Sequence, residues 1–395
     1  MQQFDVVIIG AGLAGLQCAR LLGSAGLKIL LVDYKQRLSD SVHTTGIFVR
    51  RTLEDFDIPE ECLGPALREV TLYSPARRSM KLSSGHDEFR IGRMGLLYNK
   101  FLEQSLANGV EWMPATRYVE QTRLKHGLVL RLDSKRSSRW VKTRFLVGAD
   151  GANSRVGRDL QLDTNREWIV GVEDVFAAGT NYGPPRLHCF LDREIAPGYL
   201  AWIANDGEEV HVGVGGYPAK FDPVSALDRF RNSVGNIVDL TTATWKERRG
   251  GRIPVGGVLR RIGNEQGLLV GDAAGAVSPL TAGGLDPCMR LSGLAAATIV
   301  KYFETNDPCI LERYSGELFR TRFTSRIWMR RTIAKLNQPA LEIACATLRL
   351  PLISMFARHI FFGRGSFPDI KSPRTQVLNT SPAFWNARTN ETSIH

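Results

Sequence analysis

An apolar run that leads directly into a glycine-rich turn constrains the fold of this chain more than any other feature. Residues 4–15 read Phe-Asp-Val-Val-Ile-Ile-Gly-Ala-Gly-Leu-Ala-Gly, and a helical pattern follows over about residues 13–23. In such a strand–turn–helix unit, one glycine makes the tight turn, the second lets a pyrophosphate approach the backbone, and the third lets the helix pack on the strand. Free N–H groups at the helix start favour phosphate. We therefore predict that a dinucleotide contacts Gly10, Ala11, Gly12, Leu13, Ala14 and Gly15.

A second apolar run supplies an acidic residue at the spacing that a nucleotide-binding unit requires. Residues 28–33 read Lys-Ile-Leu-Leu-Val-Asp, and Asp33 stands eighteen residues after Gly15. A carboxylate here can bind both hydroxyls of an adenosine ribose, which suits FAD or NAD because their ribose has a free 2′-hydroxyl. Glycine-rich turns also serve as plain connections, but the strand, helix and acid together favour the dinucleotide interpretation.

Two later segments repeat the pattern of an apolar strand followed by an acidic turn. Residues 145–157 contain Gly-Ala-Asp-Gly, and residues 268–285 contain Gly-Asp followed by a glycine-rich helix start. With the first unit, they resemble the three FAD-binding segments of the flavoprotein hydroxylase superfamily, the p-hydroxybenzoate hydroxylase type. The resemblance spans residues 4 to about 300. A plain NAD dehydrogenase would need neither later segment, and a helix-cap role does not explain three acids in this order.

The resemblance implies roles for residues in each segment. Asp272 would hold the ribityl chain of FAD, and Asp150 would support the region near the pyrophosphate. Main-chain N–H groups of Gly283 and Gly284 would lie beside the flavin pyrimidine ring, where a helix start stabilises the negative charge of reduced flavin. Arg93 resembles the arginine that starts a helix beside the FAD, although an arginine on a surface helix fits the same pattern. The remaining predicted FAD contacts are Gly151 and Gly271.

The residues around the third acid distinguish branches of the superfamily. Aromatic hydroxylases usually continue Gly-Asp-Ala-Ala with His, whereas this chain has Gly275. Together with Gly-Gly-Arg-Ile-Pro-Val-Gly-Gly at residues 250–257, this departure resembles the geranylgeranyl reductase branch. That branch carries a Tyr-x-Trp-x-Phe-Pro signature; here Tyr199 and Trp202 stand one residue further apart and the final Pro is missing. Flavin halogenases share the fold, but their Trp-x-Trp-x-Ile-Pro segment is missing from this sequence.

The same resemblance indicates residues at the substrate. Some of these reductases have a redox cysteine near the flavin, which would fall in the run His-Thr-Thr-Gly that ends at Gly46, so a thiol role there is excluded. We predict that Thr45, Gly46, Tyr199 and Trp202 border the substrate, although ordinary packing of a half-buried strand is the competing interpretation of the two aromatic residues. No catalytic acid is assigned, because a lone histidine, as in this run, is more often a hydrogen-bonded structural residue.

Two enzymatic functions share the first half of their mechanism. NAD(P)H or a reduced carrier would reduce FAD, and NAD(P)H would bind in a groove because no second nucleotide unit is present. The reductase hypothesis predicts hydride transfer to a C=C bond of a prenyl or other hydrophobic substrate. The monooxygenase alternative predicts O₂-dependent hydroxylation or epoxidation of a hydrophobic substrate. A third alternative, a non-catalytic FAD-bound membrane scaffold, leaves the glycine-rich segment beside the flavin unexplained.

The order of the motifs predicts an α/β fold: a Rossmann-like FAD-binding domain with a parallel sheet, an antiparallel-sheet substrate domain and C-terminal helices. β-Rich runs punctuated by Gly and Pro indicate the second domain. The expected pieces are residues 1–69, 93–165 and 256–305 for the FAD-binding domain, 70–92 and 166–255 for the substrate domain, 306–370 for the C-terminal helices, and 371–395 for a polar tail.

Composition and charge narrow the remaining function classes. Six scattered cysteines without Cys-x-x-Cys indicate neither a zinc site nor a disulfide framework, as expected for a cytoplasmic protein. The N-terminal apolar run is the nucleotide strand rather than a signal peptide, and no uncharged apolar stretch is long enough to span a membrane. The formal net charge of +11 favours nucleic acid or an anionic membrane surface. No nucleic-acid motif supports the first partner.

A basic amphipathic pattern follows at residues 319–335. Apolar side chains recur every fourth residue, and arginines do the same on a neighbouring stripe. The apolar stripe is Phe319, Phe323 and Ile327, and the basic stripe is Arg322, Arg326 and Arg330. Two interpretations are open: a helix that caps the FAD domain, or an interfacial helix on a membrane. The resemblance favours peripheral membrane contact, because a prenyl substrate is found there.

Overall fold

The computed structural model of the protein describes residues 1–40, 42–135, 137–177, 183–241 and 243–363; the predicted polar tail lies outside the described residues. The strands are β1 Gln2–Ile9, β2 Ile29–Val32, β3 Ile47–Val49, β4 Leu63–Leu67, β5 Glu69–Tyr73, β6 Ser79–Ser83, β7 Phe89–Gly92, β8 Glu111–Met113, β9 Thr116–Arg123, β10 Leu128–Ser134, β11 Ser138–Gly148, β12 Trp168–Ala177, β13 Arg186–Phe190, β14 Ala201–Asn205, β15 Glu209–Gly216, β16 Thr244–Pro254, β17 Gly263–Asn264 and β18 Gly267–Leu269. The α-helices are α1 Leu13–Ser24, α2 Arg50–Asp55, α3 Met94–Ala107, α4 Arg155–Asp159, α5 Pro223–Ser233, α6 Leu285–Thr305, α7 Cys309–Glu312, α8 Glu317–Arg320, α9 Thr324–Ile333, α10 Gln338–Thr347 and α11 Pro351–Phe362.

The first sheet brings the predicted nucleotide segments to one edge. Its parallel core has the order β18-β11-β1-β2-β8, and β17, β10 and β9 extend it with antiparallel pairs. Strands β1 and β2 share one apolar core with α1, α3 and α6, which explains their nearly continuous apolar runs. Parallel strands end at the same edge, so the turns that carry Gly10, Asp33, Asp150 and Asp272 lie there together. The predicted Rossmann-like α/β class is confirmed.

The two faces of the second sheet carry different side chains. Its order is β16-β12-β15-β14-β13-β5-β6, and all neighbours are antiparallel except β13 and β5. Helix α5 covers one face, where Val212 packs with Phe230 in a separate apolar cluster. Side chains alternate along a strand, so Glu173 and His211 lie on the opposite face. The predicted antiparallel sheet is therefore present.

A small third sheet crosses one of the expected domain boundaries. Strand β7 falls in the range 70–92 that was assigned to the substrate domain, but it pairs with β3 and β4 from the range 1–69. Local sequence does not reveal pairing between distant strands, which is why this boundary was not anticipated. The division into domains remains a proposal.

The helical segment after α7 packs against the protein. Phe323 is 1% exposed, and Phe319 and Ile327 lie against the main apolar core. Of the two interpretations of this stripe, the helix that caps the FAD domain agrees with the packing, and the interfacial helix that the resemblance favoured is wrong for these side chains. An apolar stripe at helical spacing indicates a buried face, but it does not show whether protein or lipid covers that face.

The basic stripe of the same segment is partly buried as well. Arg330 is 3% exposed, and its guanidinium donates to the carbonyls of Pro279 (3.1 Å) and Gly198 (3.1 Å). Arg326 donates to the Ser278 hydroxyl at 3.4 Å. These arginines hold α9 against the segment that precedes α6 and the loop that precedes β14, instead of facing head groups. Within the described ranges, no helix is both long enough and apolar enough to cross a bilayer.

Candidate active site

The turn after β1 combines two crowded glycines with one open position. A side chain at Gly10 would overlap the Ala149 carbonyl, and one at Gly15 would overlap the Gly10 carbonyl. Gly12 differs, because a Cβ built on it meets no protein atom within 4 Å. Helix α1 starts after Gly12 without a side-chain cap, so its first N–H groups point into this open space. The arrangement suits a phosphate group.

The three predicted segments converge on this turn. Gly10 packs against the backbone at Ala149, just before Asp150. Gly271 has a φ of +58°, and a Cβ there would lie 2.8 Å from the Cβ of Ala14. The second and third segments therefore contact the first through glycines, as close backbone packing requires.

Asp33 holds the glycine turn in place. Its Oδ2 accepts a hydrogen bond from the Ala11 N–H at 2.6 Å, and its Oδ1 accepts one from the Lys35 N–H at 2.8 Å. The side chain is 7% exposed. Each carboxylate oxygen keeps a second lone pair, so a ribose contact stays a prediction beside this structural role.

Asp150 stabilises the turn that follows β11. Its Oδ2 accepts from the N–H groups of Arg155 (2.7 Å) and Val156 (3.1 Å), at the start of α4. Its Oδ1 is buried and has no hydrogen-bond partner among the described residues. Burial raises the pKa of Asp150 despite the N–H donors. Gly151 then turns the chain with a φ of +79°. An unpaired buried oxygen at the nucleotide edge fits a site that receives a further donor.

Asp272 is the carboxyl with the clearest need for a ligand. Burial raises its pKa to about 6, and within the described chain no group donates a hydrogen bond to it. A Cβ at Gly284 would lie 3.7 Å from Asp272 Oδ1, so the carboxyl and the start of α6 are neighbours. Helix α6 begins directly after Gly284, without a side-chain cap. Hydroxyl groups of a ribityl chain would satisfy the carboxyl, and the helix start would face an electron-rich ring edge.

These observations match the chemistry of FAD. The open position at Gly12 fits its pyrophosphate, Asp272 fits its ribityl hydroxyls, and the uncapped start of α6 at Gly284 fits the pyrimidine edge of its ring. The Gly283 N–H instead donates to the Thr281 hydroxyl at 3.4 Å. The individual contacts stay predictions.

Arg93 forms ion pairs with carboxylates. Helix α3 begins directly after it, as predicted. Its guanidinium pairs with Asp206 (2.8 Å), Glu208 (2.7 Å) and Glu209 (3.2 Å) around the turn between β14 and β15. Three carboxylates already balance its charge, so the predicted FAD contact has no support from this geometry.

Two of the predicted substrate residues meet on one carboxylate. Thr45 Oγ1 donates to Glu173 Oε2 at 2.6 Å, and Trp202 Nε1 donates to the same oxygen at 3.2 Å. Trp202 lies across the sheet over Gly213, where any side chain would overlap the indole. The glycine-rich run on β15, which lacks the context of a nucleotide unit, thus makes room for Trp202. Gly46, with a φ of +83°, directs the chain from Thr45 into β3.

Tyr199 and Arg249 connect this surface to the FAD residues. The Tyr199 hydroxyl donates to the Thr281 carbonyl at 2.6 Å, two residues before Gly283. Arg249 donates to the Thr44 carbonyl at 3.0 Å. Burial, Cys288 and Asp272 raise the pKa of the neighbouring Tyr98, and Arg249 opposes them. The face of the second sheet that bears Trp202 therefore borders the edge that bears Asp272.

Glu173, Arg249 and Tyr98 were missed by the sequence analysis. Glu173 lies in the run Trp-Ile-Val-Gly-Val-Glu-Asp-Val-Phe on β12, where an acid at an otherwise apolar position was the available signal. An acid on a buried strand requires partners. Those partners come from β14, β15, β16 and the segment before β3, which only the tertiary fold brings together.

Comparison with known families agrees with this geometry. A family model described as "FAD binding domain" matches residues 3–324. A digeranylgeranylglycerophospholipid reductase of Methanosarcina acetivorans is 28% identical over 322 residues, which cover 77% of this chain and 77% of that protein.

Solved structures show the same fold. A geranylgeranyl bacteriochlorophyll reductase-like protein from Thermoplasma acidophilum superposes with a TM-score of 0.81 at 19% identity, covering 93% of this chain and 98% of that chain. The flavin-dependent monooxygenase PieE, solved with FAD and substrate, superposes with a TM-score of 0.69 at 18% identity, covering 91% of this chain and 71% of that chain.

Proposed function

The chain belongs to the FAD-binding domain family, and from this premise we propose that it reduces C=C bonds of a prenyl chain on a hydrophobic or lipid substrate. It is an FAD-dependent oxidoreductase. The proposal of a prenyl substrate rests on the relative that is named a digeranylgeranylglycerophospholipid reductase.

The substrate-side geometry supports an apolar chain as ligand. Trp202 and Tyr199 meet edge to face, with ring centroids 6.5 Å apart, on glycine-lined strand β15. Gly215 lies beneath both rings. Aromatic side chains over glycines form a broad apolar surface, and an extended prenyl chain on this surface would meet the cofactor on the side of Asp272.

Each part of the site has a distinct task in this reaction. FAD, when bound, supplies a hydride to one carbon of the double bond. The N–H groups at the start of α6, beginning with that of Gly284, orient the ring edge, and Asp272 orients the ribityl chain. Trp202 and Tyr199 hold the prenyl chain and exclude water. Electrons enter from NAD(P)H or a reduced carrier protein.

We further propose that α10 and α11, rather than α9, meet a lipid surface. Ile343 and Met355 are each 66% exposed, and Phe356 is 48% exposed. The exposed cations Arg349 and Arg358 flank these apolar side chains. Apolar side chains flanked by cations suit the boundary of an anionic bilayer.

Product analysis tests the reductase proposal. Reduced protein incubated without O₂ with a phospholipid that bears geranylgeranyl chains should yield a lipid heavier by two hydrogen atoms for each bond reduced. The monooxygenase alternative instead predicts a product with an added oxygen atom, formed only in air.

A further inference from the structure

Three ionisable side chains, two buried and one partly buried, form a row across the second sheet, directly behind Thr45. They are Glu173 on β12, and His211 and Glu209 on β15. Glu173 is 3% exposed, and His211 is completely buried. Burying such groups costs free energy unless they are paired. None of the FAD contacts predicted above uses them.

The inner end of the row meets the substrate surface. Glu173 Oε2 accepts from the Thr45 hydroxyl and the Trp202 indole, as described above. Glu173 Oε1 lies 3.4 Å from His211 Nδ1 and 3.9 Å from Arg249 Nη1. One carboxylate therefore links the hydroxyl of Thr45 to the imidazole of His211.

The outer end of the row approaches solvent. His211 Nε2 lies 3.4 Å from Glu209 Oε2. Glu209 pairs in turn with Arg93 (3.2 Å) and with Lys246 (2.8 Å), whose side chain is 44% exposed. The charged groups that face His211 are thus Glu173, Glu209 and Arg249, with Arg93 and Lys246 beyond Glu209. This end offers an entry for protons.

The charge pattern favours the protonated form of His211. Burial alone would lower the pKa of His211, but Glu173 and Glu209 raise it above the ordinary value against the opposing charge of Arg249. Burial alone would raise the pKa of Glu173, but His211, Thr45 and Arg249 hold it below the ordinary value. A protonated imidazole next to an ionised carboxylate is the state from which a proton can pass inward.

We propose that Glu173, His211 and Glu209 form a proton path, with the Thr45 hydroxyl as the group that protonates the double bond. This inference rests on the proposed reductase function. It supplies the catalytic acid that the sequence analysis could not assign.

The step balances in atoms and electrons. The π bond breaks, the hydride brings both electrons to one carbon, and the proton of Thr45 Oγ1 goes to the other carbon. Glu173 Oε1 first takes the proton of His211 Nδ1, and the protonated carboxyl group then rotates and gives that same proton to the Thr45 alkoxide, which leaves Glu173 ionised again. His211 is reprotonated from solvent past Glu209. Glu173 and His211 are positioning residues, because they act through Thr45.

A matched pair of variants at Thr45 tests the path. Removing a general acid typically slows a reaction by about 100-fold or more, so Thr45→Val should slow anaerobic reoxidation of the reduced protein by a geranylgeranyl-chain phospholipid by about that factor. Thr45→Ser keeps the hydroxyl and should restore most of the rate. FAD content and reduction by dithionite should match wild type in both. A Thr45→Val rate equal to that of wild type would overturn the proposal.

The pH dependence of the reoxidation rate distinguishes a proton path from a purely structural role of His211. The wild-type rate should fall as pH rises through the raised pKa of His211, and His211→Gln should abolish this limb. The control is His188→Gln, because His188 is also buried but lies on β13 with Tyr73 as its partner at 3.0 Å. It should leave the limb in place. An unchanged limb in His211→Gln would contradict the path.

An NMR titration of the oxidised, FAD-loaded protein tests the protonation of His211 without a substrate. The His211 ring signals, assigned by their loss in His211→Gln, should titrate above the ordinary histidine value and shift towards it in Glu173→Gln. Titration at or below the ordinary value in wild type would overturn the path. If the lipid leaves the reduced wild type unoxidised while His211 titrates as expected, the proposed function fails and the charge arrangement stands.

Discussion

Gly10, Gly12 and Gly15 occupy one turn for different physical reasons. Backbone contacts within the protein require Gly10 and Gly15, whereas the space at Gly12 is open. The two kinds of glycine should therefore respond differently to substitution.

We predict that Gly12→Val folds normally but binds FAD at least about tenfold more weakly, which corresponds to about 1.4 kcal/mol. The added side chain occupies the space for the pyrophosphate. Gly15→Val should fail to fold, because its Cβ overlaps the Gly10 carbonyl. Circular dichroism and an equilibrium FAD titration measure both effects. Wild-type FAD affinity in Gly12→Val would show that the turn does not hold the cofactor.

The raised pKa of Asp272 predicts that the stability of the apoprotein depends on pH. Burial raises its pKa from 3.8 to about 6, so the folded state binds a proton more tightly than the unfolded state. Protonation of Asp272 therefore adds to the free energy of unfolding. This contribution is complete below pH 3.8, the ordinary pKa of the group, and is lost as pH rises through about 6.

Asp272→Asn should remove this contribution. Thermal unfolding of the two apoproteins should show the wild-type Tm falling relative to that of the variant between pH 3.8 and about 6. The variant should also retain less FAD after desalting, because the amide no longer presents a charged acceptor. A constant difference in Tm across this window would contradict the assignment of a desolvated carboxyl without a hydrogen-bond donor.

Among the elements, the C-terminal helices differ in whether their apolar side chains are buried or exposed. Helix α9 places Phe323 in the core, whereas α10 and α11 expose Ile343, Met355 and Phe356. Replacing Met355 and Phe356 together with Glu should release the protein from anionic vesicles in a sedimentation assay at low salt. The control is Trp328→Glu, because Trp328 is 67% exposed but lies on α9. Equal sedimentation of the double variant and wild type, or no binding by wild type, would contradict a lipid contact on α11.

Local sequence patterns predicted some of these elements and not others. Strand β1 and helix α1 follow from short-range periodicity and were predicted within a few residues, and β-rich runs indicated the second sheet. The packing of α9 was not predicted, since an amphipathic pattern is the same whether protein or lipid covers it. The pairing of strand β7 with β3 and β4 was not predicted, because these partners are distant in sequence.

At the scale of the whole molecule, the site forms where two sheets meet. The acidic turns were predictable because parallel strands end at one edge. The cluster around Glu173 was not, because its partners Thr45, Trp202, His211 and Arg249 come from four separate segments. Its function as a proton path depends on the same meeting of sheets, with Thr45 on one side and Glu173 on the other.

The central claim is that the bound flavin passes its electrons to a prenyl double bond. The most direct measurement is the flavin absorbance of the reduced protein after anaerobic mixing with a geranylgeranyl-chain phospholipid, compared with its fully saturated counterpart. We predict that the unsaturated lipid restores the oxidised flavin spectrum without O₂ and that the saturated lipid does not. Reoxidation that requires air and is indifferent to the double bonds would contradict the account.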